Sequence, residues 1–339
     1  MTSSTRYAAS PYREAASPYA EALGRVPVRR AELPLLGGMT RYWDYGDPDA
    51  ATTLVLVHGF RGDHHGLEPV VAQLGGDLRL ISPDLPGFGE STPLTERDHD
   101  IDGYSAWLRA FVSGLELSGR VVLLGHSFGS IVVAATLAEG SGAAPVARPD
   151  AVVLVNPIGQ PALAGPRGVL TRLAIFYYWL AAVLPERLGF ALLRNRIIVR
   201  VMSEAMAKTR DRSLRAWIHG QHDSYFSAFS DRRVVLQAFR ASVAHDVREY
   251  AARIPEPTLL VAAVDDDITP IAAERVLRGL FPDARLVEID GVGHLIHYEK
   301  PVEAARAIEA FLAERAAAEH GATGPDAGDR GTTDREGRA

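Results

Sequence analysis

The stretch RVVLLGHSFGSIVVAATLAEG, residues 120–140, decides the fold. A short apolar run of buried-strand type is followed at once by Gly125-His126-Ser127-Phe128-Gly129. Small and apolar residues at helical spacing then run on to a closing Gly140. A strand that turns sharply into a helix needs glycine where the backbones crowd, and this G-x-S-x-G carries one on each side of the serine. The turn lifts the Ser127 hydroxyl above the end of the strand. The first N–H groups of the following helix then point toward any oxygen that becomes negative as the hydroxyl attacks.

Outward from this turn, strand-like and helix-like segments alternate. ATTLVLVHG (51–59), LRLISPD (78–84), DAVVLVNP (150–157), PTLLVAAV (257–264) and ARLVEID (284–290) read as strands, several of them apolar throughout. Helical patterns fall near 66–74, 101–117, 271–280 and 301–315. Strand and helix in turn predict an α/β protein: a mostly parallel central sheet with helices on both faces. From Pro157 to about Ile254 no convincing strand occurs, which predicts a helical cap inserted into the sheet domain. The expected organisation is a loosely held arm (1–33), a core in two parts (34–156 and 256–316), the cap (157–255) and a disordered tail (317–339). The arm carries AASPYxEA twice within residues 8–22, with a proline in each copy that precludes a solenoid.

Composition narrows the partners. A formal charge of −6 with interspersed signs gives no basic stripe for a phosphate backbone, so nucleic acid is not expected. The chain has no cysteine, which excludes disulfides, a cysteine nucleophile and thiolate metal sites, and fits a reducing cytoplasm. The opening MTSSTRYAAS has no apolar signal core, so a cytoplasmic protein is expected. The most apolar segment, VLTRLAIFYYWLAAVLP (169–185), is uninterrupted only from Leu173 to Leu184. As a helix that run is about 18 Å long against a hydrocarbon layer of about 30 Å, so it does not span a membrane. It reads instead as a cover for an apolar pocket.

A serine hydroxyl needs a base, and the base an orienting acid. His294, in IDGVGHLIHYEKP, follows a strand and a Gly-x-Gly loop near the end of the chain. The chain order serine, acid, histidine places the acid at the end of the preceding strand, where VAAVDDDITP offers Asp265, Asp266 and Asp267. Neighbouring side chains leaving a strand diverge, so the three aspartates do not converge on one ion. Adjacent His64 and His65 on a polar loop read as solvent-facing. His219, His222 and Asp223 have helical spacing that could bind a metal, but two histidines three apart without a third partner in view read as surface or pocket polar groups, so no metal is expected.

With LVHGF, SPDLPGFGES, GHSFG, PTLLVAAVDDDITP and GVGHLIHYEKP in this order, residues 35 to 315 resemble an α/β-hydrolase fold protein of the capped, lipase/esterase-like kind. The resemblance implies Ser127 as nucleophile, His294 as general base and no cofactor. It implies Asp266 as the acid, four residues before a proline, with Asp265 the alternative. The family usually has glycine where Ala263 stands. It also implies that the Phe60 and Phe128 N–H groups form the oxyanion hole, with His58-Gly59 shaping the loop, and that Asp84 and Ser91 hold turns. The cap aromatics Phe176, Tyr177, Trp179, Trp217 and Tyr225, with Tyr178, Phe226 and Phe229 nearby, predict a pocket for a small-molecule substrate with an apolar group. The expected activity is hydrolysis of a carboxylic ester, thioester or lactone. A cofactor-free lyase or haloperoxidase-like enzyme and a non-catalytic small-molecule receptor are the alternatives. Oligomeric state is not legible.

Overall fold

The continuous apolar runs become the middle of an eight-stranded sheet. The computed structural model describes residues 16–138, 148–161 and 168–322. Its strands are β1 (Val28–Leu35), β2 (Gly38–Tyr45), β3 (Thr52–Val57), β4 (Arg79–Pro83), β5 (Arg120–His126), β6 (Ala151–Val155), β7 (Thr258–Ala263) and β8 (Ala284–Ile289). They lie in the order β1-β2-β4-β3-β5-β6-β7-β8. The pairings of β2 with β1 and β4 are antiparallel, and all the others are parallel. Val57 pairs with Gly125, His126 with Val155, and Val155 with Val261, so the carboxyl ends of β3, β5, β6 and β7 stand side by side. In an open parallel sheet that is where ligands bind.

The period-2 alternation of a strand divides the core between the two faces. Val55, Val57, Leu123, Val152, Leu154 and Leu260 join one buried cluster, while Leu54, Leu56, Val122, Leu124, Val153 and Val261 join the other. In chain order the helices are α1 (Ala20–Leu23), α2 (Glu68–Leu74), α3 (Ile101–Gly114), α4 (Phe128–Ala138), α5 (Gly168–Val183), α6 (Glu186–Leu193) and α7 (Arg196–Met206). There follow α8 (Arg212–Tyr225), α9 (Arg232–Ala244), α10 (Arg248–Ala251), α11 (Ile271–Arg278), α12 (Ile296–Glu299) and α13 (Pro301–Ala322). α3 and α4 bury their apolar faces in the first cluster, and α2 and α13 in the second. Short polar residues start several helices by accepting free N–H groups: Asp100 for α3, Asn195 for α7, Asp211 for α8 and Asp231 for α9.

Three boundaries differ from the sequence reading. Residues 28–33, assigned to the arm, belong to β1, an antiparallel edge strand. With Arg29, Arg30, Glu32 and Pro34, that segment has the charges and proline of an edge, and only Ala31, Leu33 and Leu35 turn a half-buried side inward. The arm is also held further back: the Tyr19 hydroxyl donates to Tyr298 O at 2.6 Å, and its ring meets Trp217 edge-on. The helix expected to end near Arg315, before a disordered tail from 317, continues as α13 to Ala322. The helical insertion between β6 and β7 comprises α5 to α9. The following α10, which falls within the expected cap range 157–255, is buried in the core cluster beside α4 through Ala251 and its flanking residues Val247 and Ile254. The first copy of the N-terminal repeat, Gly140 and residues 323–339 lie outside the described residues.

Candidate active site

The turn after β5 brings Ser127 into the left-handed region, at φ +53°. Two close approaches explain its glycines: a β-carbon on Gly129 would fall 2.1 Å from Val57 O, and one on Gly125 2.5 Å from Gly129 O. The turn is held from below. Ser127 N–H donates to Val155 O at 3.1 Å, and the Ser130 hydroxyl donates to Ser127 O while accepting from Ile158 N–H.

The three aspartates separate by environment. Asp265 and Asp267 are exposed, whereas Asp266 is buried. One Asp266 oxygen accepts the N–H groups of Ile268 (2.7 Å) and Thr269 (3.2 Å). The other accepts the Thr269 hydroxyl (2.8 Å) and lies 2.7 Å from His294 Nδ1. Burial alone would raise the Asp266 pKa, but its pairing with His294 and these hydrogen bonds outweigh it and hold the carboxyl below its usual range. An ionised carboxylate only accepts, so Nδ1 of His294 carries the hydrogen. Nε2 is then left to accept from the Ser127 hydroxyl, 2.8 Å away. Asn156, which sequence reading missed, sets the two loops relative to each other. It sits at φ +43° after β6, accepts Ala263 N–H at 3.0 Å and donates to Gly293 O at 3.2 Å.

The loop after β3 passes close over the serine: a β-carbon on Gly59 would lie 3.1 Å from Ser127 Cβ. Buried His58 shapes this loop. Leu85 N–H donates to its Nε2, so Nδ1 carries the hydrogen and donates to Gly59 O, each at 2.8 Å. Buried Asp84 accepts the His64 N–H and ring at one oxygen and Glu90 N–H at the other, while Ser91 donates to Asp84 O. The Phe128 N–H opens α4 and is among the groups a helix leaves without an internal partner.

Arg61, also missed, follows Phe60 at φ +60° and is only 1% exposed. Its guanidinium donates to Phe226 O (2.9 Å), Leu193 O (2.9 Å) and the Tyr178 hydroxyl (3.4 Å), and lies over the Phe226 and Phe229 rings. One core residue thus fastens α5, the end of α6 and the end of α8. The Phe60 ring packs against Phe88, Tyr178 and Phe239.

The expected substrate-binding aromatics do not gather here. Phe176 and Trp179 are exposed on the outer side of α5. At about 100° per residue they fall on the arc opposite buried Tyr178 and Ala181, and a helix turns only one arc inward. The Tyr177 hydroxyl donates to Leu192 O. Trp217 packs with Tyr19, Leu295 and Tyr298 in a separate small cluster, and Tyr225 stacks on His65. The histidine pairs also differ from expectation. His64 is buried, stacked on Trp43 with Nδ1 on Asp84, and half-buried His65 donates to Asp63. Their ligand atoms and an Asp63 oxygen lie within 4.8 Å of one another, but the two Nδ1 atoms are engaged by carboxylates. His219 and His222 both set Nδ1 on the Ser203 hydroxyl, at 2.5 and 2.7 Å. A hydroxyl has one hydrogen to give, so the two imidazoles hold opposite tautomers. Behind the serine, His126 is pushed down to about 3 by burial and by His294, and His297, in ring contact with it, is likewise held neutral by burial.

Glu274 on α11 is fully buried against Gly159, and neither carboxylate oxygen has a hydrogen-bond partner among the described residues. Burial first, then the Asp266 charge, raise its pKa to about 9. The fold therefore holds a proton that the unfolded chain gives up, and stability falls as pH rises from the ordinary glutamate value toward 9. Glu274→Gln removes that linkage. Its Tm should match the parent at pH 5 and exceed it by several degrees, roughly, at pH 8. Parallel melting curves would count against the buried neutral acid.

A mostly parallel sheet, a serine on the tight turn between its central strand and a helix, and a histidine and aspartate from later loops together define the α/β-hydrolase architecture. The chain belongs to the alpha/beta hydrolase family, whose model matches residues 54–307. Hydrolase is the activity class that this membership and the relatives' names support. A Pseudomonas syringae pv. syringae protein provisionally named carbamate hydrolase RutD is 26% identical over 77% of this chain and 94% of its own length. Lipase 1 of Psychrobacter immobilis is 24% identical over 77% of each. A thermophilic esterase from Thermogutta terrifontis superposes with a TM-score of 0.67 at 21% identity, covering 85% of this chain and 99% of that one.

Proposed function

We propose that the protein is a serine hydrolase that cleaves a carboxylic ester, thioester or lactone through an acyl-enzyme on Ser127. The observation that carries this reading is the unbroken series of Ser127 Oγ, His294 and Asp266, joined at 2.8 and 2.7 Å. His294 Nε2 takes the hydroxyl proton as Oγ bonds to the substrate carbonyl carbon, and the carbonyl electron pair moves onto oxygen. The N–H groups of Phe60 and Phe128 receive that oxyanion; such a donor stabilises the transition state by roughly 3 to 4 kcal/mol. Collapse expels the leaving group, which takes the proton from His294. A water deprotonated by the same imidazole then attacks the acyl carbon and frees Ser127. Asp266 keeps Nδ1 protonated and stabilises the imidazolium.

The ring cluster of Phe60, Phe88, Tyr178 and Phe239 supports a substrate with an apolar group, under a cap formed by α5 to α9. The test is intact-protein mass spectrometry after a fluorophosphonate probe, with a p-nitrophenyl ester chain-length series alongside. One adduct at Ser127 and turnover peaking at one chain length is the expected result. No adduct and no turnover would return the protein to the receptor reading.

A further inference from the structure

The aromatics that turn away from the site are part of a larger feature. Seven of the eleven exposed large hydrophobic side chains among the described residues lie between Leu173 and Val201, on α5 to α7. On α5, Leu173, Phe176, Trp179 and Val183 fall within one arc of about 120° and are 43–59% exposed. On α7, Ile197 (75%) and Val201 (64%) stand one turn apart, opposite buried Val199 and Ser203. Exposed Arg172, Arg187, Arg196 and Arg200 lie among them. From Gly168 to Trp217 the chain carries nine arginines and lysines against three acids, although its net charge is −6.

We infer that the outer face of α5 to α7 docks on an anionic lipid surface, with these helices lying in the headgroup plane. Apolar side chains beside arginines suit that interface: the chains enter the boundary of the acyl layer while the guanidiniums meet phosphates. The acidic remainder of the protein is repelled by the same surface, which sets the orientation. Pairing with a second copy is disfavoured, because a two-fold contact through this face brings arginine against arginine. No helix among the described residues is long and apolar enough to cross a membrane, so contact is with one leaflet. Docking goes beyond the hydrolase reading and does not depend on it, so the Ser127→Ala protein should bind vesicles as the parent does.

The test uses the full chain carrying Ser127→Ala, with phosphatidylcholine vesicles and vesicles containing roughly a third phosphatidylglycerol. Trp179 is the natural reporter: of the four tryptophans it alone is exposed, Trp43 being half-buried and Trp107 and Trp217 buried. Anionic vesicles should pellet the protein and blue-shift its fluorescence, with partitioning at least about tenfold stronger than to phosphatidylcholine and weakened by molar salt. Trp179→Phe should abolish the shift but keep the pelleting. Ile197→Glu with Val201→Glu should abolish both, and in the Ser127 background should leave soluble ester turnover unchanged. Failure to pellet with either vesicle would overturn the proposal, as would equal, salt-insensitive binding to both. A concentration-dependent dimer that the paired glutamates dissolve would assign the face to a second copy.

Discussion

Replacing Ser127 by alanine is expected to lower ester turnover by roughly a hundred thousand- to a million-fold, the loss seen when the nucleophile is removed from a series that acts as a unit. The fold should survive. Alanine meets the same steric penalty as serine at φ +53°, because both carry a β-carbon. The lost oxygen makes a side-chain hydrogen bond to His294, worth about 1 kcal/mol. A Tm close to the parent's with no fluorophosphonate adduct is therefore the expected pairing. Turnover within tenfold of the parent would remove Ser127 from the chemistry.

The second large effect distinguishes three neighbouring residues of one type. Asp266→Asn should reduce kcat by about ten thousand-fold. An asparagine there uses its oxygen for the Ile268 and Thr269 N–H groups and turns its NH2 toward His294. Nδ1 must then accept, the ring hydrogen moves to Nε2, and the atom facing Ser127 has no lone pair for a proton. Asp265→Asn and Asp267→Asn alter exposed side chains, the latter one that pairs with Lys208, and should stay within about threefold of the parent. Comparable losses in all three variants would show that the loop, rather than one carboxylate, is what His294 needs.

Why the aspartates differ is invisible in the residue letters, since the difference is burial and the N–H groups that turn inward. What the sequence displays well is whatever short-range pattern dictates. The apolar runs of β3, β5, β6 and β7, the glycines around Ser127 and the order of the loops all follow from neighbours along the chain. What it hides is long-range or two-sided. The acceptors of Arg61 lie 117 to 165 residues away, so nothing near it marks it as buried. Asn156 reaches Gly293 across 137 residues. On α5 both arcs are apolar, so aromatic content alone does not reveal that Tyr178 faces inward while Phe176 and Trp179 face out. β1 is obscured by the charges that protect a sheet edge.

Arg61 also bears on how such a protein can change over generations. Two of its three acceptors, Phe226 O and Leu193 O, belong to the main chain, which every amino acid provides. Exposed side chains of the inserted helices can therefore be exchanged without removing those attachment points, provided the helix ends stay in place. Only the Tyr178 hydroxyl ties the fastening to a particular residue. The arrangement separates attachment of the insertion from the identity of its outer side chains: Arg61 and the buried positions of the inserted helices, such as Ala181, Leu193 and Val235, are constrained, whereas the exposed positions can change without loosening the fastening.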